Sequence, residues 1–330
     1  MAFGIAVLGL DHWYTAFGVL DICTANADVP LISIYEPDVA RRAEVAAAYP
    51  RAFVTDSADA ALAQPGVELA AICAKTGDAG SLVDQALRAG AHVLCVKPFA
   101  RTMAEARIIA DQAQGSGRFF GSFEGLQRLH PRTEKLKELI ESGVIGQVVA
   151  FHQVGHGALP SPWRGEPSGG ASWWLDPAQV PGGAWIDHAI YAVDLARFVL
   201  GGAITGAVGT FDNRLHKTLA VEDYGAAVLT LKRDDGSAVT LLITDTWCAE
   251  PGTGYNEYRF IGTRGTITAD GYDTWVVTSA TGTTRHTAEA GPYFRMDRLA
   301  AILAAGGTPP FGVADALTNL NDCLQTYERE

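Results

Sequence analysis

The first third of the chain alternates short apolar runs with longer stretches of helix-forming residues. Residues 4–8 (GIAVL), 31–35 (LISIY), 69–74 (LAAICA) and 92–96 (HVLCV) are nearly continuous apolar runs, stopped by glycine, proline or charge. Strands buried on both faces read this way. Shorter runs at 52–54 and 119–123 fit the same pattern. Between them, residues 13–26, 38–48, 57–62, 79–89 and 102–113 predict helices, with Asp38 and Ser57 placed as N-caps. Strand and helix in strict turn predict a parallel sheet with right-handed crossovers.

The rhythm changes after about residue 122. Residues 132–142 predict a helix stopped by Gly143. Residues 148–154, 224–232, 238–245 and 256–261 then alternate as half-buried strands do, with hairpin signals at Asp234-Asp235-Gly236 and a turn at 263–265. Helices are predicted over 184–199 and 311–327. The fold class is therefore α/β: an N-terminal Rossmann-type parallel sheet over 1–122 and a C-terminal α/β domain over 123–330 with a largely antiparallel open sheet. The last helix has the option of packing back on the first domain. Residues 155–183, rich in Gly, Pro and Trp, form a long loop, and a loop of that length inside a compact domain is usually functional.

Composition narrows the function. At 330 residues two domains are the default. The net charge of −12 argues against nucleic acid and anionic membranes, and points to a small or neutral substrate. Five scattered cysteines suggest neither a disulfide framework nor a zinc site, which fits a cytoplasmic protein. The N-terminus reads as a strand, not a signal peptide, and no run is long enough to span a bilayer. His152 and His156 share a strand face without a third ligand, so no metal is expected.

Five quoted stretches carry a resemblance: the strand–turn opening at Gly9, YEPD at 35–38, GAHVLCVKPFA at 90–100, QRLHP at 127–131 with ELIESGVIGQV at 138–148, and GGAWIDHAIYAVDLARFVLG at 182–201. In that order they resemble the glucose–fructose oxidoreductase / inositol dehydrogenase (Gfo/Idh/MocA) family over nearly the whole chain. The resemblance implies an NAD-dependent oxidoreductase, a dehydrogenase of a sugar, glycoside or polyol, assembled as a homodimer or homotetramer. It also leaves two rivals: a redox-neutral glycosidase or lyase that keeps its NAD, and a sugar-sensing protein without turnover. The sequence departs from the family where Val96 replaces Glu, Tyr191 replaces the majority His and Ala79 replaces a common His. It departs again where Asp11 and Tyr14 replace the second and third glycines of G-x-G-x-x-G.

The expected catalytic residues are Lys97, which ends a strand at the sheet's carboxyl edge, Asp187 and Tyr191 at i and i+4 of one helix, and His188 beside them. Lys97 is expected to lower the Tyr191 pKa enough for Tyr191 to act as base. The cofactor is expected at Gly9, Leu10, Asp11, His12, Glu36, Cys73, Ala74, Lys75 and Lys97. Glu36 ends the second strand, where a carboxylate favours NAD over NADP, although a turn role before Pro37 explains it equally. Asp11 is expected to cap the first helix and to repel a pyrophosphate from its N-terminus. Trp163, Trp173, Trp174 and Trp185 are expected to stack on sugar rings, with Arg128, His156 and Arg164 as further substrate contacts.

Overall fold

The computed structural model describes residues 2–170 and 172–327. The N-terminal unit runs β1 (Gly4–Leu8), α1 (Trp13–Ala25), β2 (Leu31–Tyr35), α2 (Val39–Ala48), β3 (Phe53–Thr55), α3 (Ala58–Leu62), β4 (Val67–Ile72), α4 (Thr76–Arg88), β5 (His92–Cys95), α5 (Met103–Ser116) and β6 (Phe120–Ser122). All six strands pair parallel in the order β3-β2-β1-β4-β5-β6. The runs in β1, β4 and β5 are largely buried because helices cover both faces, while β2, next to the edge strand β3, is half-buried outside Ser33 and Ile34. Asp38 and Ser57 cap α2 and α3 by accepting from Arg41 N and Ala60 N, as the sequence predicts. Strand order reverses between β1 and β4, which makes their carboxyl ends the switch-point crevice where dinucleotides bind in this fold.

The second unit begins with a 3-10 helix (Phe123–Leu129), followed by α6 (Pro131–Glu141), β7 (Val148–His156) and the long connection 157–183. Then come α7 (Ala184–Leu200), β8 (Ala203–Asp212), β9 (Tyr224–Lys232), β10 (Ala238–Thr246), β11 (Tyr255–Gly262), β12 (Gly265–Asp270), β13 (Thr274–Ser279), β14 (Gly282–Thr287), α8 (Met296–Ala304) and α9 (Val313–Leu324). Their eight-stranded sheet has the order β14-β13-β12-β11-β7-β10-β9-β8. One pair, β7 with β10, is parallel and the rest are antiparallel. Along β10, Val239, Leu241 and Ile243 are buried under α7, while Thr240 and Leu242 face outward. Helix α9 packs on α5 and β6 as well as on α7. No element is predicted from the sequence at β8, β12, β13, β14 or α8, although α8 carries Met296, Leu299, Ala300 and Leu303 at the helical period.

Candidate active site

Lys97 follows β5 at the carboxyl edge of the parallel sheet, and its side chain is buried. Its ammonium contacts both Oδ1 and the main-chain carbonyl of Asp187, in the first turn of α7. Helix α7 can start here because its N-cap is Gly183, where a Cβ would lie 2.0 Å from the Glu222 carbonyl oxygen. Burial opposes the charge on Asp187, but Lys97 and His188 outweigh it and hold the carboxyl well below the ordinary carboxylate range. Removing one partner of such a pair strands the other charge, at a cost of about 3–5 kcal/mol.

His188 Nδ1 stands 3.5 Å from Asp187 Oδ2. Burial pushes its pKa down, against the pull of Asp187 and with the help of Lys97, so the imidazole is neutral at neutral pH. Tyr191, one turn further on, corrects the sequence reading. Lys97 Nζ sits 5.2 Å from its ring centroid, yet the phenol's net shift is upward. Burial, with Tyr293, Glu124 and Asp187, pushes the phenol well above its usual value. Tyr191 is thus a hydrogen-bond donor at neutral pH and a poor base. His188, which the helical phase counts against, has the better protonation state. Its i, i+3 relation to Tyr191 was the available signal.

Lys97, His188 and Tyr191 line one cavity of about 860 Å³ between the two units. Aromatic rings dominate its wall: Tyr14 from α1, Phe123, Tyr258 from β11, Tyr272, Trp275 from β13 and Tyr293. Arg132 and His130 at the start of α6 also line it. The sequence reading missed Arg132, Tyr258, Tyr272, Trp275 and Tyr293. Only the GYDTW stretch at 271–275 hinted at them, as aromatic residues closely spaced near a turn.

The substrate residues expected from the sequence lie elsewhere, and each has a physical reason. Arg128 is buried and donates to Asp194, Asp315 and the Pro310 carbonyl, joining the 3-10 helix to α7 and α9. His156 Nδ1 is 2.8 Å from Thr246 Oγ1 across the β7–β10 pair. Trp185 is core, packed on Phe211. Trp163 donates to Glu44 on α2 at 3.2 Å and carries the Arg41 guanidinium 4.3 Å over its ring. Arg164 pairs with the same Glu44 and lies 4.1 Å over Phe17 of α1. Trp173 donates to the Asp11 carbonyl at 3.1 Å, and Trp174 stacks on Trp173 and Tyr14. The 157–183 connection is therefore a strap tied across α1, α2 and the first turn. Its three tryptophans hold it there, and neither they nor Trp185 of α7 line the cavity.

That strap bears on the cofactor residues. Gly9 keeps the fingerprint: its φ is +77° and a Cβ would lie 2.8 Å from that of Ala74. Asp11 is not an N-cap, because α1 begins after His12 with no side-chain cap. One Asp11 oxygen pairs with Arg41 at 3.1 Å and the other accepts from Lys75 N at 3.3 Å. His12 N donates to the Cys73 carbonyl. These bonds cross the β1–β4 crevice, and Leu10 and His12 beneath the tryptophans are fully buried. Glu36 turns back and accepts from Asp38 N at 2.9 Å, the turn role weighed for it. Burial raises its pKa to about 7. The residues at the turn, as they stand, do not fit a pyrophosphate: its place is taken by the chain's own groups.

The chain matches two known domain families. Residues 3–123 match the oxidoreductase family with an NAD-binding Rossmann fold, and residues 133–268 match the GFO/IDH/MocA C-terminal domain. Myo-inositol 2-dehydrogenase of Thermotoga maritima is 28% identical over 42% of this chain and 37% of its own length. D-glucoside 3-dehydrogenase of Escherichia coli is 28% identical over 60% of this chain and 54% of its own length. The matched segment thus spans well under two thirds of these curated relatives. An oxidoreductase from Agrobacterium radiobacter, solved with NAD+, L-tartaric acid and magnesium, is 19% identical with a TM-score of 0.79, covering 98% of this chain and 95% of that one. The two matches together cover well over half of the chain and reach into both units, and the chain belongs to the Gfo/Idh/MocA family of oxidoreductases.

Proposed function

We propose that this protein is an NAD-linked oxidoreductase acting on a hydroxyl of a sugar, glycoside or polyol. The observation that carries the reading is the buried Lys97–Asp187 pair, which meets His188 and Tyr191 on one cavity at the carboxyl edge of the Rossmann sheet. Lys97 and Tyr191 donate hydrogen bonds to the reacting hydroxyl. With Nδ1 turned to Asp187, Nε2 of neutral His188 is the nitrogen left to take the hydroxyl proton. Asp187 fixes Lys97 and orients His188. The relatives' names, an inositol and a glucoside dehydrogenase, support a polyhydroxylated substrate. NAD is preferred to NADP because Glu36 stands directly after β2, where an acidic side chain, even one bonded to Asp38 N, takes the place of a cation that would receive a 2′-phosphate. Binding it requires the strap to lift from Asp11 and His12.

The same strap favours a second reading, a sugar-binding protein that has given up turnover. One set of measurements separates them. Purified protein is titrated calorimetrically with NAD and NADP, then assayed with a panel of polyols and glycosides for the absorbance of reduced nicotinamide. The first reading expects NAD binding and turnover that falls about 10²–10⁴-fold in His188→Gln. No binding of either dinucleotide at millimolar concentration overturns it in favour of the second.

A further inference from the structure

Arg132 carries charge into the cavity without a partner. Its guanidinium takes part in no ion pair or hydrogen bond among the described residues, and its buried Nε is unsatisfied. Neighbouring cations differ: Arg295 is paired with Asp297 at 2.7 Å and Arg298 with Glu134 at 2.7 Å. The acid whose charge reaches Arg132, Asp273, forms no ion pair with it. Three rings hold the group instead, with Trp275 at 4.4 Å, Tyr258 at 5.8 Å and Tyr272 at 6.0 Å. Trp275 also donates from Nε1 to the Arg132 carbonyl at 2.9 Å, which fixes the start of α6 against β13. Burial among these rings pulls the Arg132 pKa down, and the neighbouring phenols and Asp273 offset only part of that.

A guanidinium stacked on rings keeps its edge free, and that edge presents paired donors in the fork that matches a carboxylate. Buried polar groups normally find partners, so an unmatched one on a cavity wall marks where a ligand's partner belongs. We infer that the cavity takes an anionic sugar, a uronate or aldonate, whose carboxylate is received by Arg132 while a hydroxyl lies at His188 and Lys97. The inference rests on the oxidoreductase reading of the same cavity. The net charge of −12 favours neutral ligands for the molecule as a whole, but this local positive charge reverses the preference inside the cavity. His130 beside it is neutral, since burial lowers its pKa, and the Lys97 charge is paired with Asp187, so Arg132 is the one unpaired cation on the wall among the described residues and suits a monoanion better than a phosphate dianion. The phenols of Tyr258, Tyr272 and Tyr293 remain for ring hydroxyls.

The test is calorimetric titration of the intact protein with matched pairs: D-glucuronate against D-glucose, D-galacturonate against D-galactose and D-gluconate against D-glucitol. Glucose 6-sulfate and glucose 6-phosphate separate other anions from carboxylates. At least one acid should bind tenfold or more tightly than its neutral partner, and the phosphate should bind more weakly than that acid. Arg132→Gln should bring acid and neutral sugar within twofold, and Arg132→Lys should keep part of the preference. Melting curves show that each variant is folded. Equal binding within every pair, no binding by any acid, or an unchanged preference in Arg132→Gln overturns the inference. An acid preference without nicotinamide reduction leaves it standing and removes the oxidoreductase reading. Reduction with neutral sugars alone does the reverse.

Discussion

His12 gives the sharpest test of whether the cofactor turn is closed as described. Its ring is fully buried between Tyr14, Trp173 and Trp174, with Nε2 3.1 Å from the Tyr14 hydroxyl and Nδ1 unsatisfied. Burial first, and then Lys97, lower its pKa from 6.5 to about 3. The unfolded chain therefore takes up a proton below about pH 6.5 that the folded chain refuses. Stability is lost as pH falls through the window from 6.5 to 3, by about 1.4 kcal/mol per unit, with a ceiling of about 5 kcal/mol. Buried acids act in the opposite sense. The raised pKa values of Glu36 and Glu124, each about 7, favour the folded state as pH falls. The wild-type profile is a sum of both effects, and the His12 contribution appears only in a difference.

The variant is His12→Leu, which stays neutral at every pH. Urea unfolding of the two proteins is measured from pH 7 to pH 4, with equal m-values as the check that the same transition is compared. The variant should gain on wild type by about 1.4 kcal/mol for each unit below pH 6. Parallel profiles would show that water reaches His12, and then the strap does not seal the turn.

Two further outcomes follow from the site and the sheet. Asp187→Asn should cost about 3–5 kcal/mol by stranding the Lys97 ammonium, and Lys97→Met in the same chain should restore much of it. A double variant as unstable as the single one refutes the pairing argument. The outward face of the large sheet exposes Val149, Val208, Val228 and Leu242, so light scattering after size exclusion should give a dimer or tetramer. A monomer alone refutes that.

Much of the scaffold is legible in the sequence because its elements are locally determined. The runs GIAVL and LISIY can only be buried strands, and Asp38 and Ser57 sit where caps act through the next few residues. Lys97 and Asp187 point to one place from different signals, Lys97 from its position at the end of a strand and Asp187 from the resemblance and its i, i+4 relation to Tyr191, and the structure brings them into contact. The aromatic wall is not legible. Trp173 in the strap and Trp275 in the wall look equivalent in one dimension, since each is an aromatic residue near a turn. What separates them is which surface each segment meets after folding. Arg128 and Arg132 show the same limit four residues apart. Asp194 and Asp315 form ion pairs with the first, and no acid among the described residues forms one with the second; those two acids lie on α7 and α9, far along the chain.

The turn at residues 9–14 differs from a dinucleotide fingerprint in a coupled way, and this sets what a reversion should do. Glycine at 11 would remove the repulsion expected from the sequence, but Asp11 has already been neutralised by Arg41 and Lys75 N. Tyr14 does not wedge α1 from the strand. It turns to the cavity and stacks under Trp174. The strap thus fills the space that a cofactor's phosphates need, whatever stands at 11. Asp11→Gly alone should leave NAD affinity within about twofold of wild type. Trp173→Ala removes the hydrogen bond to the Asp11 carbonyl and the ring contact with His12, together about 1–2 kcal/mol of closure, and should tighten NAD binding about tenfold. With both changes the gain should exceed the product of the two, because the glycine matters only once the strap is off it. A tenfold gain from Asp11→Gly alone would mean that the carboxylate, rather than the strap, is what keeps the pyrophosphate out.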